Sequence, residues 1–164
     1  MTHSTLAPTR RSARALGRRD WVLGATTAAT VYSAGIAWQA HAVSYPLFSQ
    51  VSAEEFPAYH LAYNAAIPGV VIVPGFVCFL ACAALPWTRP ADVPRALAAV
   101  VSASGLVSLA TTVLWAIPMH DRLDAVGQSA EALAALAQAN ALRTGALTLG
   151  AAALVWSLLR RRAA

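Results

Sequence analysis

The sequence predicts an all-α integral membrane protein, a four-helix bundle, and three observations carry that prediction. Hydrophobic residues make up 58% of the 164-residue chain and charged residues only 12%, against about a quarter charged in a soluble domain. A domain this small cannot bury so much apolar surface in water, which makes lipid the natural second solvent. Four apolar stretches, about 21–42, 63–85, 96–117 and 142–159, each approach the ~20 residues a helix needs to cross the hydrocarbon core. The basic residues, all Arg, gather mainly at the ends of those runs.

The first span follows Arg18, Arg19 and Asp20. Residues 1–19, rich in Ser, Thr, Ala and Arg and lacking apolar periodicity, read as a disordered basic tail on the cytoplasmic side, and 20–162 as one transmembrane domain. A basic start, an apolar run and Ala40-His41-Ala42 also spell a signal peptide with a cleavage site. Signal h-regions are about 7–15 residues, shorter than this run, so a retained span is the preferred reading. The second span closes at an interface on Pro86-Trp87, the third stops at Pro118, and the fourth ends on Arg160, Arg161 and Arg162. The Ala-rich third and fourth spans gain stability from close approach of small residues.

Arginine placement sets the orientation. Arg10, Arg11, Arg14, Arg18, Arg19, Arg89, Arg95, Arg160, Arg161 and Arg162 fall on one side of a four-span chain; Arg122 and Arg143 fall on the other with Glu54, Glu55, Asp121, Asp124 and Glu131. The positive-inside rule places both termini in the cytoplasm, in a multi-pass protein of the plasma (inner) membrane. The net charge of +5 forms no basic stripe with interleaved aromatics, which excludes a nucleic-acid partner. No carboxylate falls inside a span, against the pattern of ion-coupled transporters. Cys78 and Cys82, four residues apart, read as small packing residues on one helix face.

Nearly every residue capable of specific chemistry lies at the outer end. Trp38, His41 and Tyr45 share a helix face by their spacing, and Pro46 is expected to break that helix. Ser52 and Glu55 form a capping-box pattern, which predicts a short helical outer loop carrying His60, Tyr63 and Asn64 into the second span. The third span places Trp115 and His120 at the outer surface. From Leu123 to Asn140 the apolar residues Leu123, Val126, Ala130, Leu133 and Ala137 recur about every 3.5 residues, predicting an amphipathic outer helix that runs into the fourth span. Asn140, Arg143 and Thr144 share a face there. Arg143 is costly at bilayer depth unless it snorkels or finds a partner, and Asp121 and Asp124 are the partners on offer. Trp and Tyr at such boundaries also serve as interfacial anchors, the plainer reading for Trp38, Tyr59 and Trp115.

The blocks Tyr45-Pro46-Leu47-Phe48, Phe56-Pro57-Ala58-Tyr59-His60, Pro118-Met119-His120 and Asn140-x-x-Arg143-Thr144, taken in order, resemble the anthrone-oxygenase-like family of small four-helix membrane proteins. The similarity runs from about residue 22 to residue 159. The resemblance implies a four-helix membrane fold, oxygenation of aromatic polyketides, and a site at the positions of His60, His120, Asn140 and Arg143.

Two functions compete. One is a membrane-bound oxidoreductase acting on a lipophilic, aromatic substrate. In it His60, His120 and Arg143 with Asn140 do the chemistry, while Tyr45, Tyr63, Asn64 and Trp115 contact the substrate. His60, His120 and His41 would hold a metal, or the reaction would need no cofactor and use a base alone. The other is a non-enzymatic binding module or accessory subunit that holds a lipid, a quinone or a partner helix, with an oligomer as one outcome. In both, the partners are the bilayer and a lipophilic small molecule.

Overall fold

The computed structural model describes residues 16–163, so the tail expected over 1–19 lies outside the described residues up to residue 15. The described chain is 88% helix without a strand. Four helices follow one another: α1 (18–48), α2 (Phe56–Thr88), α3 (Arg95–Val126) and α4 (Ala130–Ala163). They pack as a ring in chain order, which α4 closes against α1.

Helices α2, α3 and α4 are long and apolar enough to cross a membrane. Phe76, Val77 and Leu80 on α2, Leu114 on α3, and Leu142, Leu149 and Leu159 on α4 are half or more exposed, an apolar surface that water does not favour. Helix α1 is as long but less apolar, because Thr26, Thr27, Thr30 and Ser33 occupy its buried face. The three threonine hydroxyls donate to the carbonyls of Val22, Leu23 and Thr26, one turn back, at 2.8–2.9 Å. Their polarity is thereby satisfied within the helix itself.

The expected stops at Pro46 and Pro118 do not occur. A proline inside a helix offers no N–H to the carbonyl four residues back and crowds it. Here the ladder widens by one residue instead: Tyr45 N–H donates to Ala40, Val73 to Pro68 and Ile117 to Thr112. Each donor directly precedes a proline, Pro46, Pro74 or Pro118. The resulting π turns, Ala40–Ser44, Pro68–Ile72 and Thr112–Ala116, let three helices run on through their prolines. Where a proline supplies no N–H, the carbonyl four residues back becomes an acceptor between helices in two places. Val70, four before Pro74, accepts from the Tyr32 hydroxyl at 3.1 Å, and Cys82, four before Pro86, accepts from Ser102 Oγ at 2.8 Å.

The continuation of α3 through Pro118 also changes the outer helix. The amphipathic helix expected over 123–140 is interrupted, since Leu123 to Val126 belong to α3. Gly127, at φ 76°, ends that helix in a conformation that side chains resist. Residues 130–140 do continue into the fourth helix as expected. The capping-box pattern forms only in half: Glu55 N–H donates to Ser52 Oγ at 3.2 Å, but the Glu55 carboxylate accepts from the Ser52 hydroxyl, at 2.9 Å, instead of from its backbone, and α2 starts after Glu55, at Phe56.

Two apolar cores result. One, toward the arginine-rich end, includes Leu23, Cys78, Cys82, Leu85, Leu97, Val101 and Leu154. Asp20 and Asp92 both accept from Arg161 there, joining α1, the α2–α3 loop and α4. The other core, around Phe48, Phe56, Leu123, Leu136 and Ala139, supports the opposite end. Polar side chains and a cavity lie between them. Close approach in the first core depends on Gly105, where an added Cβ would sit 2.7 Å from Cys82 Cβ. Gly105→Ala should therefore lower stability by about 1–3 kcal/mol through overpacking. Gly24→Ala, with nothing within 4 Å, should not. Thermal unfolding in detergent separates the two.

Candidate functional site

Continuation of α3 through Pro118 puts His120 and Asp124 on one helix face, one turn apart. On α2, His60 and Asn64 have the same spacing, and the two pairs meet. His60 Nδ1 lies 2.6 Å from Asp124 Oδ1, and His60 Nε2 lies 3.0 Å from His120 Nδ1. Asn64 Nδ2 donates to the other carboxylate oxygen, Asp124 Oδ2, at 2.7 Å. His120 Nε2 faces the Tyr45 hydroxyl at 3.5 Å.

Donor and acceptor counting orders the protons along this chain. A carboxylate only accepts, so His60 Nδ1 carries the proton toward Asp124. His60 Nε2 is then an acceptor and takes the His120 Nδ1–H. His120 Nε2 is left as an acceptor for the Tyr45 O–H. Every bond from Tyr45 to Asp124 points the same way, and the chain ends on the one carboxylate.

Burial holds the chain in place. His60 is 0% exposed, stacked on Phe56 at 5.2 Å and met edge-on by Phe48 at 5.4 Å. Phe48 also packs edge-on against Tyr63, at 4.9 Å, and against Tyr59, at 5.9 Å, so one ring sets the angle of several others. Gln128 Nε2 donates to the Phe48 and Val51 carbonyls at 2.9 Å, which ties the α3–α4 loop over this cluster.

Arg143 stands on the other side of Tyr45. Its Nε donates to Asn140 Oδ1 at 3.2 Å, as does its Nη2, and its Nη1 reaches Thr112 Oγ1 at 3.4 Å. Asn140 is itself fixed by donating to the Ala37 carbonyl at 3.1 Å. The Tyr45 hydroxyl lies beside the guanidinium. A main cavity of about 230 Å³, bounded mostly by apolar side chains of all four helices, has Arg143 in its wall. A smaller pocket of about 40 Å³ adjoins it, lined by Tyr45, Tyr63, His120 and Arg143. Residues from all three π turns border one or both spaces, as is frequent where such turns serve function.

Most of the sequence-derived candidates converge: His60, His120, Tyr45, Tyr63, Asn64, Asn140 and Arg143 belong to this end. Others do not. Trp115 is turned outward, more than a third exposed, and lines neither space. His41 packs edge-on against Trp38 at 5.8 Å on the half-exposed side of α1, away from the other two histidines. The three-histidine metal set therefore does not assemble. Three of the four ring nitrogens of His60 and His120 are spent on each other and on Asp124, and among the described residues no three His, Cys, Asp or Glu side chains are grouped to hold a metal. Arg143 is paired with Asn140 and Thr112 instead of Asp121 or Asp124. Asp124, considered from sequence only as a partner for Arg143, is the residue the sequence reading missed. Its signal was the four-residue spacing from His120.

No protein-family model, no curated protein and no solved structure matches this chain.

Proposed function

We propose that this protein is a four-span membrane oxidoreductase with both termini in the cytoplasm, which oxygenates a lipophilic, aromatic substrate by base catalysis at its outer end. The observation that supports this most is the ordered chain from Tyr45 through His120 and His60 to Asp124, which begins at a small pocket shared with Arg143 and adjoining the apolar cavity.

The steps follow from the proton order. An acidic C–H or O–H of the substrate, held against Tyr45, gives its proton to the phenolic oxygen as the Tyr45 proton moves to His120 Nε2. The Nδ1 proton of His120 passes to His60 Nε2, and the positive charge comes to rest on the His60 ring beside the Asp124 carboxylate. A positioned base of this kind contributes about 10²–10⁴ in rate. The electron pair left on the substrate collects on its oxygen, where the Arg143 guanidinium stabilises it. That anion is an electron donor to dioxygen: a C–O bond forms, the O–O bond breaks with loss of water, and a CH₂ becomes a carbonyl. One dioxygen is consumed and one water released per turnover.

Oxygen uptake by the detergent-purified chain, with an anthrone-type phenol as substrate, tests this reading. Uptake that falls about 10²-fold in Tyr45→Phe, which removes only the hydroxyl at the start of the chain, supports it. Uptake equal in the wild type and Tyr45→Phe rejects it. Saturable binding without uptake favours the non-enzymatic module.

A further inference from the structure

Arg143 is 7% exposed, and among the described residues it has no carboxylate partner. Every acid at its end of the bundle is engaged or exposed elsewhere. Asp124 serves His60 and Asn64, Glu131 pairs with Arg122, Glu55 holds Ser52, and Glu54 and Asp121 are exposed. Neutral groups alone surround the guanidinium: Asn140, Thr112 and Tyr45. A buried cation satisfied only by dipoles carries a desolvation cost that an anion at hydrogen-bond distance offsets. Asn140 holds Nε and one Nη2–H and Thr112 takes one Nη1–H, which leaves one N–H on each terminal nitrogen of a residue that lines both spaces.

The surroundings say what kind of anion fits. A dry cavity of roughly 150 Å³ takes a single aromatic ring, and the main cavity, at about 230 Å³, exceeds that. Tyr32, Val70 and Phe76 on its rim are 45%, 49% and 52% exposed, within the same apolar surface that faces away from the bundle. The mouth is therefore continuous with the lipid-facing belt, and the bond from Tyr32 to the Val70 carbonyl crosses it.

We propose that the resident ligand of this cavity is a membrane-dissolved organic acid, bound as its anion: a lipophilic body between α1, α2 and α3, and a single ionised oxygen group completing the charge on Arg143. The assignment rests on the reading of this cavity as the substrate site, and it names the class of substrate. The charge that rests on Arg143 is the one left when the acid's proton passes to Tyr45, so a hydrocarbon, or a ketone with no acidic proton to give up, fills the apolar part and leaves the guanidinium unmatched.

The test uses two probes of equal shape, 2-naphthoate and its uncharged isostere 2-naphthamide, titrated against the full chain in a non-ionic detergent and followed by intrinsic fluorescence. The wild type should bind naphthoate at least tenfold more tightly than naphthamide. Gly75→Leu, which fills the cavity from a position with nothing within 4 Å, should weaken both and measures the detergent background. Arg143→Gln should bring the ratio near one with naphthamide binding retained. Arg143→Lys, which keeps the charge without the fork, should keep a preference for the anion. Equal affinities in the wild type, an undiminished preference in Arg143→Gln, or a lost preference in Arg143→Lys would each overturn the assignment. Because binding is read without turnover, failure of the catalytic reading, seen as unchanged oxygen uptake in Asp124→Asn, is recorded separately.

Discussion

Asp124→Asn should lower turnover by about 10²–10⁴-fold while leaving the helices in place. The carboxylate oxygen 2.6 Å from His60 Nδ1 fixes the direction of every proton behind it. An asparagine can turn an amide N–H toward that nitrogen, which moves the His60 proton to Nε2. Two N–H groups then face each other across the 3.0 Å gap between His60 Nε2 and His120 Nδ1, and the chain is broken at its centre. Setting the wrong imidazole tautomer costs about 10⁴ in a serine-protease triad, the upper limit of the effect expected here. The substitution changes little in volume. Asn64, which donates to Asp124 Oδ2 at 2.7 Å, keeps an acceptor only if the new amide oxygen turns toward it. Any loss of stability should stay within the ~1–3 kcal/mol of one unsatisfied buried group. Oxygen uptake alongside thermal unfolding distinguishes a broken proton chain from an unfolded protein.

Arg143→Gln should lower turnover by about 10²–10³-fold, the loss typical of one preorganised oxyanion donor. Glutamine still reaches Asn140 but carries no charge. Relief of the guanidinium's desolvation offsets part of the lost hydrogen bonding, so the melting temperature should change little while activity collapses. A large fall in both would mean that Arg143 serves the fold. The two substitutions act on opposite sides of Tyr45, one on the departing proton and one on the charge left behind. Their combined effect should therefore be less than the product of the two, as for residues that act as a unit.

The apolar runs of α2, α3 and α4 were plain in the sequence because hydropathy reports the solvent directly. Helix α1 reads as a span in the sequence alongside the others, yet it is less apolar than they are, since its buried face carries Thr26, Thr27 and Thr30, whose hydroxyls bond back to their own helix. The gathering of His60, His120, Asn140 and Arg143 at one end was also legible, from the asymmetry of polar residues between the ends of the spans. What the sequence concealed traces to the prolines. Pro118 reads as a stop under the rule for helix interiors, which assigns Asp124 to a separate surface helix and hides its alignment with His120. The π turn over Thr112–Ala116 carries α3 through that proline. It also shifts the register, leaving Trp115 outward while His120 points inward. A one-residue widening of a helix leaves no mark in composition or periodicity, and here three such turns border the cavity or the pocket beside it.

The direction of the proton chain is the claim on which the chemistry depends, and histidine nitrogen NMR reads it directly. In the ¹⁵N-histidine-labelled protein in micelles, with His60 and His120 assigned by single-residue substitution, both buried rings should carry their proton on Nδ1. A ring protonated on Nε2 at either position would contradict the account, because Tyr45 and Asp124 would then no longer be joined by one set of bonds running the same way.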